Sequence, residues 1–266
     1  MKEEIKSRIE LLRNEIKRRG LNAIIIPQSD PHQSEYLASH WQVRRYFSGF
    51  TGSAGTLVVT LSEALLWTDS RYFLQATQQL EGTGIILMKD GLPATPSIEN
   101  YLKSFLVRGN VIGIDGWLFS INKVNSMIKA FKPAGIKLDT TVDVVDTLWK
   151  DRPSLPLNKI FEYDIKYAGK DAAVKIKEVL ARTSGVGVAF ISALDEIAWT
   201  LNIRCNDVNC NPVATGFLYL SSTGSVLFTM PEKVDDGVKG YLQSKGVKVL
   251  PYSEVAKFLS EVKEEV

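Results

Sequence analysis

The chain holds only two histidines and two cysteines in 266 residues, and each scarcity excludes a kind of chemistry. Two cysteines are too few for a disulfide-stapled scaffold, which makes the cytoplasm the default compartment. His32 and His40 are its whole imidazole supply, and with no GxSxG elbow a Ser–His–Asp triad has little support. No apolar run approaches the ~20 residues needed to cross a bilayer, so no membrane partner is expected. The N-terminal stretch MKEEIKSRIELLRNEIKRRG is charged and amphipathic without an apolar signal core, so no secretion signal is expected. A net charge of +2 gives no electrostatic case for nucleic acid.

What is present is a globular composition, 45% hydrophobic and 23% charged, at a length that suits two domains. Ile5, Ile9, Leu12 and Ile16 recur at helical spacing, with Gly20 as the C-cap. Ala23–Ile26 is a short continuous apolar run, the pattern of a strand covered on both faces. Residues 56–60 and 64–68 read as two more strands. A helix over Tyr72–Leu80 follows, capped by Asp69 or Ser70, and then a strand at 85–88. Pro96 opens a further helix with Thr95 as its cap. Val111–Asp115, a helix near 122–131 and Ile136–Asp139 complete an α/β unit. Prolines 153 and 156 deny helix to the residues before them and mark a linker.

The second half repeats the first. A helix striped by Ala173, Ile176, Val179 and Leu180 ends at Gly185, and the run from Val186 to Ile191 corresponds to Ala23–Ile26. Residues 216–220 and 225–229 match the central strand pair, and 246–250 matches 84–88. Ser253 caps a last helix with Val255, Phe258, Leu259 and Val262 on its apolar face. Nothing corresponds to 111–139. The fold expected is therefore α/β, two tandem domains of mixed sheet flanked by helices, over 1–152 and 153–266. The second is either truncated at its C-terminal end or a smaller domain that needs no closing strand. A truncated sheet has an open edge, which invites a homodimer.

Among candidate sites, Gly49, Gly52 and Gly55 run into a strand rather than a helix. They therefore offer no phosphate cradle, and a tight turn is the better reading. Asp30, His32 and Glu35 could gather a metal, but hydrogen bonding within a polar loop is the commoner use of such residues. Cys205 and Cys210 read as reduced thiols in an asparagine-rich turn, and Asp195 as an N-cap. Arg71 stands at a strand-to-helix corner, where a planar fork of donors suits carbonyl or carboxylate oxygens. It is either a ligand-facing cation or the partner of Asp69.

The stretches IIPQSDPHQSEYLA, RRYFSGFTGSAGT, WTDSRYFLQATQQL, LWKDRP and ALDEIAWTLNIRCNDVNCNP match, in order, much of one pattern. Along nearly its whole length the chain resembles the first two domains of three-domain Xaa-Pro aminopeptidase. The resemblance implies two creatinase-like N-terminal domains preceding a catalytic pita-bread domain, which would be this chain's own partner. It implies two divalent metal ions, manganese by expectation, held by that further domain, with no cofactor and no metal ligand in these 266 residues. Peptides with proline at position two are the implied substrates. Arg71 maps onto the arginine of the family's Asp-Gly-Arg-Tyr-Phe stretch, which reaches toward substrate, with Ser70 in place of the glycine. His32, Asp69 and Tyr72 are then possible cleft-lining residues, and no catalytic residue is assigned.

Three functions follow as candidates. The first is an inactive, cleft-shaping fragment of a cytoplasmic metallopeptidase. The second is a free-standing module that binds peptides or a partner without catalysis. A nucleotide-binding enzyme comes third, weakened by the missing phosphate fingerprint.

Overall fold

The computed structural model describes residues 2–183 and 187–262. They pack as two units, Met1–Pro31 with Ser39–Pro153 and His32–Ala38 with Ser154–Val266.

In the first unit the opening helix α1 (Lys2–Arg18) buries Ile5, Ile9, Leu12 and Ile16 along one stripe. Its C-terminus closes through Gly20 at φ +68°, with Gly20 N–H donating to Lys17 O and Leu21 N–H to Ile16 O. That pair of bonds satisfies carbonyls the helix end would otherwise leave open. The strands are β1 (Ala23–Pro27), β2 (Thr56–Thr60), β3 (Ala64–Thr68), β4 (Ile86–Lys89), β5 (Val111–Gly113) and β6 (Lys137–Asp139). They lie in the order β4-β3-β2-β1-β5-β6. Strand β2 runs antiparallel to β1 and β3, while the β3–β4, β1–β5 and β5–β6 pairs are parallel.

Side chains of this sheet alternate between two cores, as a strand period of two requires. Ile24, Ile26, Leu57, Val59 and Leu66 join the core over α1. Ala23, Ile25, Val58, Leu65 and Trp67 join the opposite one. The remaining helices are α2 (Val43–Ser48), α3 (Phe73–Leu80), α4 (Ile98–Lys103), α5 (Ile121–Phe131) and α6 (Val145–Leu148). A 3-10 turn, Ser70–Tyr72, precedes α3, and Asp69 caps that turn. Helix α4 begins later than Pro96 predicts. Its cap is Ser97, which accepts from Asn100 N–H at 3.2 Å, because the Pro96 carbonyl is held outside the helix by Trp67 Nε1 at 2.9 Å.

The second unit contains β7 (Phe161–Glu162), α7 (Ile165–Ala168), α8 (Ala172–Ala181), β8 (Val188–Ile191), α9 (Leu194–Leu201) and β9 (Ile203–Arg204). It continues with β10 (Phe217–Ser221), β11 (Ser225–Thr229), α10 (Asp236–Ser244), β12 (Val247–Pro251) and α11 (Val255–Glu261). Its main sheet has the order β12-β11-β10-β8, with β7 and β9 forming a separate pair. The pairing senses, parallel for β11–β12 and antiparallel for β10–β11 and β8–β10, are those of β3–β4, β2–β3 and β1–β2. The repeat is thus real at the level of topology. Among the described residues no strand takes the places that β5 and β6 hold in the first sheet.

Two further expected caps are corrected. Helix α9 starts at Leu194 with Ala193 in the cap position, so Asp195 lies in the first turn, where its charge favours the positive helix end. Ser253 sits inside a 3-10 turn, Tyr252–Glu254, that feeds α11 directly, so Glu254 and not Ser253 stands at the cap position. Gly185 and Val186 lie outside the described residues.

Candidate functional site

Strand β3 ends at Thr68, whose hydroxyl donates to Ala54 O at 2.7 Å and whose carbonyl accepts from Asp90 N–H at 2.9 Å. The corner that follows is therefore anchored from both sides before the chain turns. Asp69 is extended and caps the turn by accepting from Arg71 N–H. The same carboxylate takes the Arg71 side chain as a fork, Nε to Oδ1 and Nη2 to Oδ2, each at 2.9 Å. Arg71 holds the Asp69 carboxyl below its ordinary range, mainly through the side-chain hydrogen bond. Arg71 is 65% exposed and Asp69 38%, so solvent screens the pair.

Tyr72 carries the corner back into the fold. Its hydroxyl is 2.8 Å from Ser53 Oγ, its ring stands edge-on to Phe50, and Arg71 lies 5.2 Å above it. The glycine turn that bears Ser53 is set by steric limits. Gly49 closes α2 in the left-handed region. A Cβ on Gly52 would stand 2.4 Å from the Phe50 ring, and one on Gly55 would stand 2.9 Å from Trp67 O. These glycines serve close packing and do not open a phosphate cradle.

Beneath the turn lies Arg44, 1% exposed. Its Nε and Nη2 donate to Gln28 Oε1 at 2.9 and 2.6 Å, and Nη2 also donates to the Gly52 carbonyl. Burial pulls its pKa down to about 10. Beside the Asp69 corner, a cavity of about 340 Å³ opens between Trp67, Asp90, Glu99 and Lys123. Burial works to raise the Glu99 carboxyl, but the 2.9 Å bond from Lys123 Nζ prevails and lowers it.

The structure places Asp69, Arg71 and Tyr72 together in the first unit and His32 in the second. His32 is 3% exposed. Its Nδ1 lies 3.0 Å from the Ser192 carbonyl, which can only accept, so the proton sits on Nδ1. In the neutral ring Nε2 then accepts from the Tyr252 hydroxyl at 3.0 Å. Phe217 packs against the ring at 4.4 Å.

Cys205 is buried and Cys210 exposed, and both are reduced. The Cys205 thiol lies 3.3 Å from Asn158 O and 3.2 Å from Asp207 Oδ1. Burial pushes its pKa up to about 12.

Sequence reasoning missed the buried cations. Lys233 and Asp207 form an ion pair with both side chains fully buried. Lys175, 2% exposed, donates to Trp199 O at 2.9 Å and to Asn202 Oδ1 at 2.7 Å. The available signal was Asn202 itself, the left-handed C-cap of α9.

Mixed sheets of this order, each flanked by helices, define an α/β fold of the creatinase N-terminal type. The chain belongs to the creatinase/prolidase N-terminal domain family: one model of that domain matches residues 8–152 and a second matches residues 151–266. It is similar to Aminopeptidase P2 of Arabidopsis thaliana, 41% identical over 89% of this chain and 34% of that protein. Xaa-Pro aminopeptidase 1 of Dictyostelium discoideum is 38% identical over 96% of this chain and 42% of its own length. The crystal structure of the X-prolyl aminopeptidase from Caenorhabditis elegans superposes with a TM-score of 0.86 at 34% identity. That superposition covers 90% of this chain and 40% of the other, which is described as a cytosolic enzyme with a di-nuclear active site. The chain therefore spans about a third to two fifths of these relatives.

Proposed function

We propose that the chain is the substrate-cleft half of a metal-dependent Xaa-Pro aminopeptidase, inactive by itself, which positions peptides carrying proline at position two. The observation that carries this reading is the similarity to Xaa-Pro aminopeptidases over 89–96% of the chain. The Caenorhabditis relative's description as cytosolic supports a cytoplasmic location. No described helix is long and apolar enough to cross a membrane.

Arg71 is the residue proposed to meet the peptide. It stands past the C-terminal end of β3, the side of an α/β sheet where ligands bind. To take a carbonyl or carboxylate it must share or release Asp69. Both side chains are solvent-accessible, so that exchange costs only about 1 kcal/mol or less. The Ser53–Tyr72 contact then fixes the turn from which Arg71 extends.

The implied pair of manganese ions does not fit this chain's donors. Among the described residues no three His, Cys, Asp or Glu side chains gather where a metal could be held. A dinuclear centre needs several clustered carboxylates and an imidazole, and His32 has both ring nitrogens engaged within its own unit. The metals are assigned instead to a catalytic domain, the chain's first partner. By the topological repeat, the side of β8 that has no neighbouring strand among the described residues is where further strands or a second copy would pair.

The test is made on the gene read through to its own stop codon. Arg71→Ala is expected to lower kcat/KM for an Xaa-Pro tripeptide by about tenfold or more. An unchanged value would remove Arg71 from the cleft.

A further inference from the structure

Away from the Arg71 corner, the first unit contains a second and larger concavity, about 810 Å³, between α1, α2 and residues 149–153. Its lining is chemically one-sided. Lys2, Arg8 and Arg45 line it, together with amide and hydroxyl side chains such as Gln42, Thr51 and Gln79, and no aspartate or glutamate does. The chain as a whole is nearly balanced, with 32 basic and 30 acidic residues, so three cations around one cavity are a local departure.

Their partners leave a net positive charge. Arg8 pairs with Glu4 and Lys2 lies 3.7 Å from Glu81, but those carboxylates are 57% and 79% exposed and stand outside the lining. Arg45 is exposed, donates to Gln42 Oε1 at 3.0 Å, and has no ion pair among the described residues.

The wall is also rigid. Arg8 Nη1 donates to Tyr46 O at 2.8 Å while its guanidinium lies 3.9 Å over the Tyr46 ring. Trp149 stacks on the same ring at 4.4 Å and 15°. Thr51 and Gln79 lock one another: Thr51 N–H donates to Gln79 Oε1, and Gln79 Nε2 donates to Thr51 Oγ1, both at 2.9 Å. Arg8 is held in place this way, beside the charge of Arg45 that no carboxylate offsets among the described residues, so part of the site is ordered before an anion binds.

From this we infer that the cavity is a binding site for a small polyanion carrying two or more phosphate or carboxylate groups. A concave site of this volume is of the size that encloses small molecules, and a ligand with two or more anionic groups can engage more than one of its cations.

Calorimetric and ¹⁵N NMR titrations of the 266-residue chain with citrate, pyrophosphate and inorganic phosphate test this. Citrate or pyrophosphate should bind at one per chain and more tightly than phosphate. Binding should shift the amides of Gln42, Gly49 and Thr51. Binding of citrate alone assigns a polycarboxylate, and binding of pyrophosphate alone assigns a polyphosphate. Arg45→Gln should weaken the association about tenfold, with Lys2→Gln acting in the same direction. Lys132→Gln, the same charge change on an exposed residue outside the cavity, should leave it unchanged. All three sites are solvent-exposed, so folding should be retained and is checked by circular dichroism. Absence of saturable binding, shifts confined to other residues, or equal weakening by Lys132→Gln would overturn the assignment.

Discussion

Lys233 and Asp207 form an ion pair in which neither side chain retains any solvent exposure. Asp207 also accepts from Thr215 N–H at 2.7 Å and lies 3.2 Å from the Cys205 thiol, so one carboxylate ties β10's approach, the cysteine loop and the 3-10 turn Pro231–Lys233 together. Removing one member leaves a buried charge with nothing to neutralise it. Lys233→Met is expected to destabilise the second unit by about 3–5 kcal/mol, seen as an earlier urea transition in that unit. A loss below about 1 kcal/mol would show that the pair does not organise the unit.

Acid stability should depend on Glu15. This carboxylate is almost fully buried and bonds Arg18 and Arg19 at 2.6–2.7 Å. Its pKa is lowered from 4.5 to about 2, chiefly by the Arg18 hydrogen bond. The folded value lies below the unfolded one, so the stabilisation is complete above about pH 4.5 and is lost as pH falls toward 2. Glu15→Gln should flatten the stability profile across that window. A wild-type slope in the variant would mean that other carboxylates carry the acid limb.

Thiol reactivity should separate the two cysteines. Cys210 is exposed, whereas Cys205 is buried with its pKa raised to about 12, and the thiolate is the reactive form. Titration of the native chain with a disulfide reagent should consume one thiol, and titration after denaturation two. Two fast-reacting thiols in the native state would contradict the burial of Cys205.

The parts of the fold that could be read in advance were those fixed by local pattern. Apolar runs of strand length gave β1, β2, β3, β10 and β11, and their recurrence exposed the repeat, because strand burial on two faces leaves a plain sequence record. Helix starts were less legible. At Pro96, Trp67 from a distant strand holds a carbonyl that the expected first turn would have used, and tertiary contacts of that kind leave no local trace.

Buried charge was not legible either. Lys175, Lys233 and Arg44 look like surface residues until their partners are known, and those partners lie 8 to 27 positions away. The candidate site was half visible. Arg71 stood out by its place at a strand end, and the Asp69 alternative was evident from spacing. Nothing local shows that His32 joins Tyr252, 220 residues on.

The most direct test of the account is hydrolysis of a short Xaa-Pro peptide with added Mn²⁺, comparing the 266-residue chain with the gene read through to its own stop codon. The account predicts release of the N-terminal residue by the longer product alone, with none above background from the shorter. Turnover by the 266-residue chain itself would contradict it, because it would place a complete catalytic site within these two domains.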